Sequence, residues 1–341
     1  MKKNPLIGLA LPVALGTMTW LIGPLLFLGT ADASPQYVAS TSTTACSGVM
    51  VSAGDNLVTK VSSASSGTTF CIASGTFSIG SLAVKPKDND KLIGASAIVG
   101  IDGSISAASK IVGSGAVIID LGKAHGVTIQ NLDVSGSKGS SSCQPQCGRG
   151  ISQGDNTTVS YTRVHDNMIA GIGGGGPGVS LSHVELDHNG SSAFYGCCAA
   201  GIKSSSAYTI DSSYIHDNTG NGVWQDICGA NFVVTNNTIS GNTQSGIRYE
   251  HNKVCAGSAW FTNNVVKNNN TSAASGAAGI SINSAPGATL AYNTFGGNLK
   301  FGVSVGGTRG PTTGTSIHDS TMNKDILKGC TLSGVSCTNN V

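Results

Sequence analysis

From Ile129 onward the chain repeats one arrangement of apolar and polar positions. Apolar anchors stand at Ile129, Val159, Leu181, Ile210, Val234, Phe261, Leu290 and Ile317. Five residues after each anchor comes a second apolar residue: Val134, Val164, Leu186, Ile215, Ile239, Val266, Phe295 and Met322. Eight residues after each anchor the position is polar: Ser137, Asn167, Asn189, Asn218, Asn242, Asn269, Asn298 and Asp325. A glycine–aliphatic pair then follows in most units, its aliphatic member at Ile151, Ile172, Ile202, Val223, Ile247, Ile280 and Val303. Successive anchors are 30, 22, 29, 24, 27, 29 and 27 residues apart. Periods of this size mark stacked arrays, in which each unit buries its apolar face only against its neighbours.

The apolar runs are short, rich in Val and Ile, and cut by Gly, Asn, Asp and Ser. That is the punctuation of strands and turns, and no helical period competes with it. The pattern therefore predicts an all-β solenoid, a parallel β-helix with coils of 22 to 30 residues. Asn at the polar position suits a turn, because Asn tolerates left-handed backbone, and stacked amides in successive coils can bond one another. Unequal steps predict loops at residues 143–149 and 191–200. One short helix is expected near residues 57–61, where it would cap the open N-terminal end. The degraded repeat after Ile317 suits the opposite cap.

Composition agrees with a folded array. Gly makes up 48 of 341 residues, charged residues 11%, hydrophobic residues 39% and aromatics 5%. These values exclude a disordered chain. A formal net charge of +2 offers no electrostatic case for a nucleic-acid partner. Lys2 and Lys3, the apolar run over residues 6–28 and Ala31-Asp32-Ala33 read as an export signal cleaved after Ala33. An uncleaved membrane anchor is the alternative, although Pro5, Pro12 and Pro24 interrupt the run. The expected organisation is a signal peptide over 1–33, a linker over 34–48 and a β-helix domain over 49–341. The mature chain would be secreted or held at the cell surface, without a membrane partner after cleavage. Its oligomeric state is not legible.

The ten cysteines are Cys46, Cys71, Cys143, Cys147, Cys197, Cys198, Cys228, Cys255, Cys330 and Cys337. In an exported chain they point to disulfides. Cys46–Cys71 and Cys330–Cys337 are plausible local staples, and Cys228–Cys255 a bridge between adjacent units. The other four would then pair between the loops at Cys143/Cys147 and Cys197/Cys198. A thiolate metal site made of those four is the rival reading.

Strand alternation assigns faces after each glycine. The aliphatic residue points inward. The next outward column is Ser152, Gly173, Lys203, Trp224, Arg248, Ser281 and Ser304, and the following one includes Asp226, Glu250, Asn283 and Gly306. With neighbouring coils about 4.8 Å apart, Lys203, Trp224, Asp226, Arg248, Glu250 and Asn283 should share one exposed patch. Asp226 and Glu250 form a carboxylate pair of the kind glycosidases use. Trp224 offers an aromatic face for a sugar ring, Arg248 a two-pronged partner for an acidic substituent. Lys203 becomes a base if cationic neighbours such as Arg248 lower its pKa. Asp226, Glu250 and Asn283 are oxygen donors of the kind Ca2+ takes; no cofactor is otherwise required. His251 adjoins Glu250 at the patch edge. His165-Asp166-Asn167 and His216-Asp217-Asn218 read as a recurrent structural turn, with His183 and His188 flanking it. The alternative for the patch is plain surface pairing of Arg248 with Asp226 and Glu250.

The stretch GNGVWQDICGANFVVTNNTISGNTQSGIRYEHN resembles exported bacterial right-handed parallel β-helix repeat proteins of the pectin-lyase-like superfamily. The features that carry the resemblance are Gly222, Val223, Trp224 and Asp226 in one coil, then Gly246, Ile247 and Glu250 in the next. GTTFCIASGTF and VKPKDNDKLIG, toward the N-terminus, look like the first coils of such proteins. The resemblance covers about residues 48–340 and implies a right-handed parallel β-helix. The superfamily includes polysaccharide lyases, glycoside hydrolases, uronan epimerases and phage or surface proteins, and fold does not choose among them. The hydrolases' multi-aspartate motif and the epimerases' D-P-H-E tetrapeptide are absent from the sequence. The expected function is recognition and cleavage of an extracellular polysaccharide, lyase-like and on an acidic glycan. Asp226, Glu250, Arg248 and Lys203 would be catalytic, and Trp224, Asn283 and His251 would bind substrate. A glycoside hydrolase on the same patch and a non-catalytic surface or adhesion module are the alternatives.

Overall fold

A computed structural model describes residues 37–139, 147–227, 231–250, 257–308 and 310–341. The expected signal peptide, Cys143, Cys228, His251 and Cys255 lie outside these residues. Every anchor stands opposite the next in parallel register. Ile129 pairs with Val159, Val159 with Leu181, Leu181 with Ile210 and Ile210 with Val234. Val234 then pairs with Phe261, Phe261 with Leu290 and Leu290 with Ile317. The second apolar column stacks likewise from Val134 to Phe295. The glycine–aliphatic strands form a separate nine-stranded parallel sheet, from Val117–Asp120 to Leu327–Lys328. These three faces enclose one apolar core, which includes Ile129, Val134, Ile151 and their counterparts in successive coils. The architecture is a right-handed parallel β-helix.

The polar position at offset eight forms a continuous internal ladder. The Asn167 amide nitrogen donates to Asn189 Oδ1 at 2.9 Å, Asn189 to Asn218 at 3.1 Å and Asn218 to Asn242 at 3.0 Å. Asn242 donates to Asn269 at 2.9 Å, Asn269 to Asn298 at 3.0 Å, and Asn298 ends the ladder on Asp325 at 2.6 Å. Each rung also satisfies a backbone N–H of the preceding coil, as Asn242 N does by donating to Asn269 Oδ1 at 3.2 Å. One expectation needs correction here. The left-handed residue sits one position earlier, at Asp166, His188, Asp217 and Asn268. It turns the chain so that the following Asn points inward.

The ladder also explains the glycines. A Cβ at Gly222 would lie 2.7 Å from both Asn242 Nδ2 and the Gly246 carbonyl oxygen. Gly171, Gly201, Gly246 and Gly279 face the same pair of obstacles in their own coils. The column is glycine because the next coil's backbone and its ladder amide occupy the space of a side chain. A second ladder, at offset three, runs through Asn237, Asn264 and Asn293, each amide donating to the next at 3.0 Å.

The expected helix forms as Leu57–Ser63, with Asn56 Oδ1 accepting from Thr59 N and with Leu57 and Val61 buried against the first coil. Among the described residues no helix is long and apolar enough to cross a membrane. Cys46–Cys71 and Cys330–Cys337 are bonded as expected. The proposed pairing between the two cysteine loops is overturned, because Cys197 bonds to its neighbour Cys198. Cys147 is also disulfide-bonded, which removes the thiolate metal reading. Within the stretch read as a linker, Ser40–Ser42 forms an antiparallel sheet with Ala97–Val99 and Ile105–Ala107. The periodic pattern carried no sign of this sheet.

Candidate active site on the nine-stranded sheet

Alternation holds along the glycine–aliphatic strands. Val223, Gln225, Ile247, Tyr249, Ile280 and Ile282 are buried and face the interior. Tyr249 packs against Phe232 and Phe261 with ring centroids 6.3 and 5.9 Å away, and so anchors the strand that carries Arg248 and Glu250. On the outer side Lys203 pairs with Trp224, Trp224 with Arg248 and Arg248 with Ser281. In the second column Asp226 pairs with Glu250, and Glu250 with Asn283. The expected register is present without a slip.

The environment of these residues differs from an open patch. Trp224 is only 3% exposed. The Lys203 ammonium lies 3.7 Å from its ring centroid and the Arg248 guanidinium carbon 4.9 Å. The open aromatic face expected for a sugar ring is thus a buried indole held between cations from the two adjoining coils. Trp224 Nε1 donates to Glu250 Oε1 at 2.8 Å, and Arg248 Nε donates to Glu250 Oε2 at 2.7 Å. Glu250, 2% exposed, is therefore a structural hub. Arg248 bonds a carboxylate on its own strand, two residues on, where cross-strand pairing was expected.

Lys203 and Asp226 are the accessible pair. Lys203 Nζ is 3.0 Å from Asp226 Oδ2, with side-chain exposures of 19% and 21%. The ammonium also donates to the Cys197 carbonyl oxygen. Burial lowers the Lys203 pKa, Asp226 and Glu250 oppose that shift, and Arg248 contributes the smallest lowering effect. Desolvation, rather than the neighbouring cation, is the main cause. Lys203, Trp224, Asp226 and Glu250 line a cavity of about 450 Å³ together with Gly196, Cys197 and Ile227. Asn283 lines a second cavity of about 450 Å³ with Ser281, Ser304 and Lys328. The expected Ca2+ donors are thus divided, and a cation there would have to displace Lys203 from Asp226 and Arg248 from Glu250.

A second polar cluster, on the outer side of the second face, was not anticipated. Arg163 clamps Asp187 with Nε at 2.9 Å and Nη2 at 2.6 Å, and lies 3.5 Å from Glu185. His216 Nε2 is 3.1 Å from Glu185 Oε1, and His165 Nε2 is 3.0 Å from Asp133 Oδ1. Burial opposes protonation of both histidines, but their carboxylate partners prevail and raise the pKa. The hairpin strand Ile105–Ala107 adjoins this cluster, its Ile105 N donating to Glu185 Oε2 at 2.5 Å. Glu185, Asp187 and His216 offer metal-ligand atoms within 4.8 Å of one another, yet Arg163 already neutralises Asp187. The recurrent His-Asp-Asn turns accordingly serve structure: Asp217 is left-handed, Asn218 enters the ladder, and His216 Nδ1 lies 2.8 Å from Asp217 Oδ2. Applying strand alternation to the offset-five strands brings Asp133, Arg163, His165, Glu185, Asp187 and His216 to one side. That signal was available in the sequence.

No curated protein sequence matches the chain. Among solved structures, it is similar to the catalytic unit of a thermostable GH87 alpha-1,3-glucanase from Streptomyces thermodiastaticus. That likeness is 15% identical, covers 82% of this chain and 56% of the other, and has a TM-score of 0.55. The A-module of the Azotobacter vinelandii mannuronan C-5 epimerase AlgE4 is 14% identical over 83% of this chain and 93% of that one, with a TM-score of 0.50. Pectate lyase Pel9A is 12% identical over 83% and 73%, with a TM-score of 0.49. At these identities the likeness to the glucanase and the epimerase speaks for the fold alone. A family described as right handed beta helix region matches residues 108–275 and 202–341. With its coils, its ladders and that match together, the chain belongs to the right-handed β-helix family.

Proposed function

We propose that the chain is a secreted protein that binds an acidic polysaccharide on its nine-stranded sheet and cleaves it by elimination at Lys203. The observation that carries this reading is the Lys203 ammonium, desolvated at the edge of a 450 Å³ cavity and pointed at Asp226. A lysine with a lowered pKa yields the free amine at a pH where an ordinary lysine stays charged. The amine removes the proton next to a uronate carboxylate. The electron pair forms a carbon–carbon double bond, and the glycosidic oxygen on the adjacent carbon leaves with its chain. Arg248, 29% exposed and oriented by Glu250, is the group for the uronate carboxylate, since a guanidinium keeps further N–H donors after pairing once. Asp226 holds the lysine in place. The glucanase and the epimerase that share the fold act on polysaccharides, as their names state, and this agrees with the reading. Hydrolysis is less well served, because Glu250 is fully engaged by Trp224 and Arg248.

The test is turnover of uronate polymers, followed both by reducing ends and by the ultraviolet absorbance of unsaturated uronates. Wild-type protein should yield both signals, and Lys203→Gln should lose roughly 100-fold or more in rate. The rate should climb with pH through a midpoint below the ordinary lysine value of 10.5. Because Asp226 opposes the lowering, Asp226→Asn should move that midpoint further down. Reducing ends without absorbance would replace elimination by hydrolysis. No product from any polymer would leave a non-catalytic surface module.

A further inference from the structure

Trp224 is enclosed, so a sugar ring at this cavity needs another apolar surface. Two are present. Cys197, half-buried, lines the cavity, and its bond to Cys198 closes the two residues into a compact, polarisable sulfur ring. Cys198 is rooted in a small apolar cluster with Phe194, Ile169 and Ala199. The Cys197 carbonyl receives the Lys203 ammonium, which ties this loop to the proposed base. Ile227 also lines the cavity, directly after Asp226, and is 56% exposed. Its φ is +44°, in the left-handed region that a β-branched residue avoids. The chain thus holds an isoleucine in an unfavourable conformation and leaves much of its side chain exposed beside a candidate catalytic pair. Neither burial in the core nor turn chemistry accounts for that choice, because Asn or Gly would be easier at this φ.

We infer that the Cys197–Cys198 disulfide and Ile227 are the apolar walls of a sugar-ring subsite, with Lys203 and Asp226 as its polar groups. This inference rests on the proposed function and names how that site recognises its substrate. A pyranose ring presents an apolar C–H face, which suits sulfur and an aliphatic side chain, and hydroxyls or a carboxylate at its edge, which suit an ammonium and a carboxylate.

The experiment is calorimetric binding of galacturonate and mannuronate oligomers to the full chain, with thermal melting alongside. Ile227→Gly should weaken binding about 10-fold while its Tm stays at or above that of wild type, since relief of the left-handed strain offsets the added chain entropy. A purely structural isoleucine would not give that combination. Cys197→Ser/Cys198→Ser should weaken binding to a similar degree. Wild-type binding with an unchanged Kd in both variants would overturn the subsite and leave the proposed function standing. A wild-type chain that binds none of the oligomers would overturn both.

Discussion

Asn242 shows how much one residue does in this fold. Its Oδ1 accepts from the Asn218 side chain at 3.0 Å and from Asn218 N at 3.1 Å, and its amide donates to Asn269 Oδ1 and to the Ile215 carbonyl. Asn242→Ala removes these four bonds and leaves the buried Asn218 N–H without the acceptor it has here, at about 1–3 kcal/mol. It should lower Tm more than a conservative core change such as Ile239→Val, as a pair of melting curves would show. Asp325 tests the opposite sign. It ends the ladder as a carboxyl whose pKa is raised by burial, against the Asn298 hydrogen bonds. Asp325→Asn would continue the ladder with a neutral group and should raise Tm at neutral pH. The ladder was legible because one residue type recurs at one offset. The offset-three ladder was not, because it begins with Thr162 and Ser213 before becoming Asn237.

At the scale of elements, the hairpin strands Ala97–Val99 and Ile105–Ala107 matter most. Glu185 links Ile105 to His216, while Asp102, Asp133, Asp187, Asp217, Arg163 and Tyr214 complete the charged surroundings. His165 and His216 have folded-state pKa values raised above 6.5. Their stabilisation is complete below the unfolded value and is lost as pH rises through the folded ones. Asp187 is lowered from 3.8, so burial is outweighed by Arg163 and His188, and its contribution is lost as pH falls. Tm should therefore decline from pH 6 to pH 8.5, a window set by about 6.5 for an ordinary histidine. The decline should shrink in His165→Gln/His216→Gln. An identical decline in that variant would remove these histidines as its source. This element was invisible to the repeat pattern because the hairpin belongs to no coil and its strands pair antiparallel.

On the scale of the whole molecule, each repeating coil pairs its strands only with the coils beside it, so the stability of the array is close to a sum of local terms; the N-terminal segment and the hairpin make the longer contacts, as Tyr37 does with Ser213 and Ile105 with Glu185. The Cys330–Cys337 bond staples a coil whose strand Val335–Thr338 pairs with Thr315–His318. Cys330→Ser/Cys337→Ser should reduce hydrogen-exchange protection in those two strands while Asn221–Asp226 keeps wild-type protection. Loss of protection along the whole array would contradict nearest-neighbour coupling. The same local logic lets the vicinal disulfide, Lys203 and Ile227 form a cavity without altering the core behind them, where Tyr249 and Phe232 continue to pack.

From Ile129 to Ile317 the strand register, the inward columns and the amide ladder were contained in the residue order, because a solenoid converts fixed offsets into stacked positions; the coils before Ile129, over Val49–Val51, Thr69–Ile72 and Lys91–Gly94, do not follow those offsets. The outward columns followed from alternation for the same reason. Three things depended on tertiary structure. Burial of Trp224 required knowing where Lys203 and Arg248 place their charges, and side-chain conformation has no period. The Cys197–Cys198 bond depended on loop conformation, since spacing alone left several pairings open. The antiparallel hairpin lies outside the repeat, so the sequence carries no offset that places it over the histidine–carboxylate cluster, whose own residues do follow alternation on the offset-five strands.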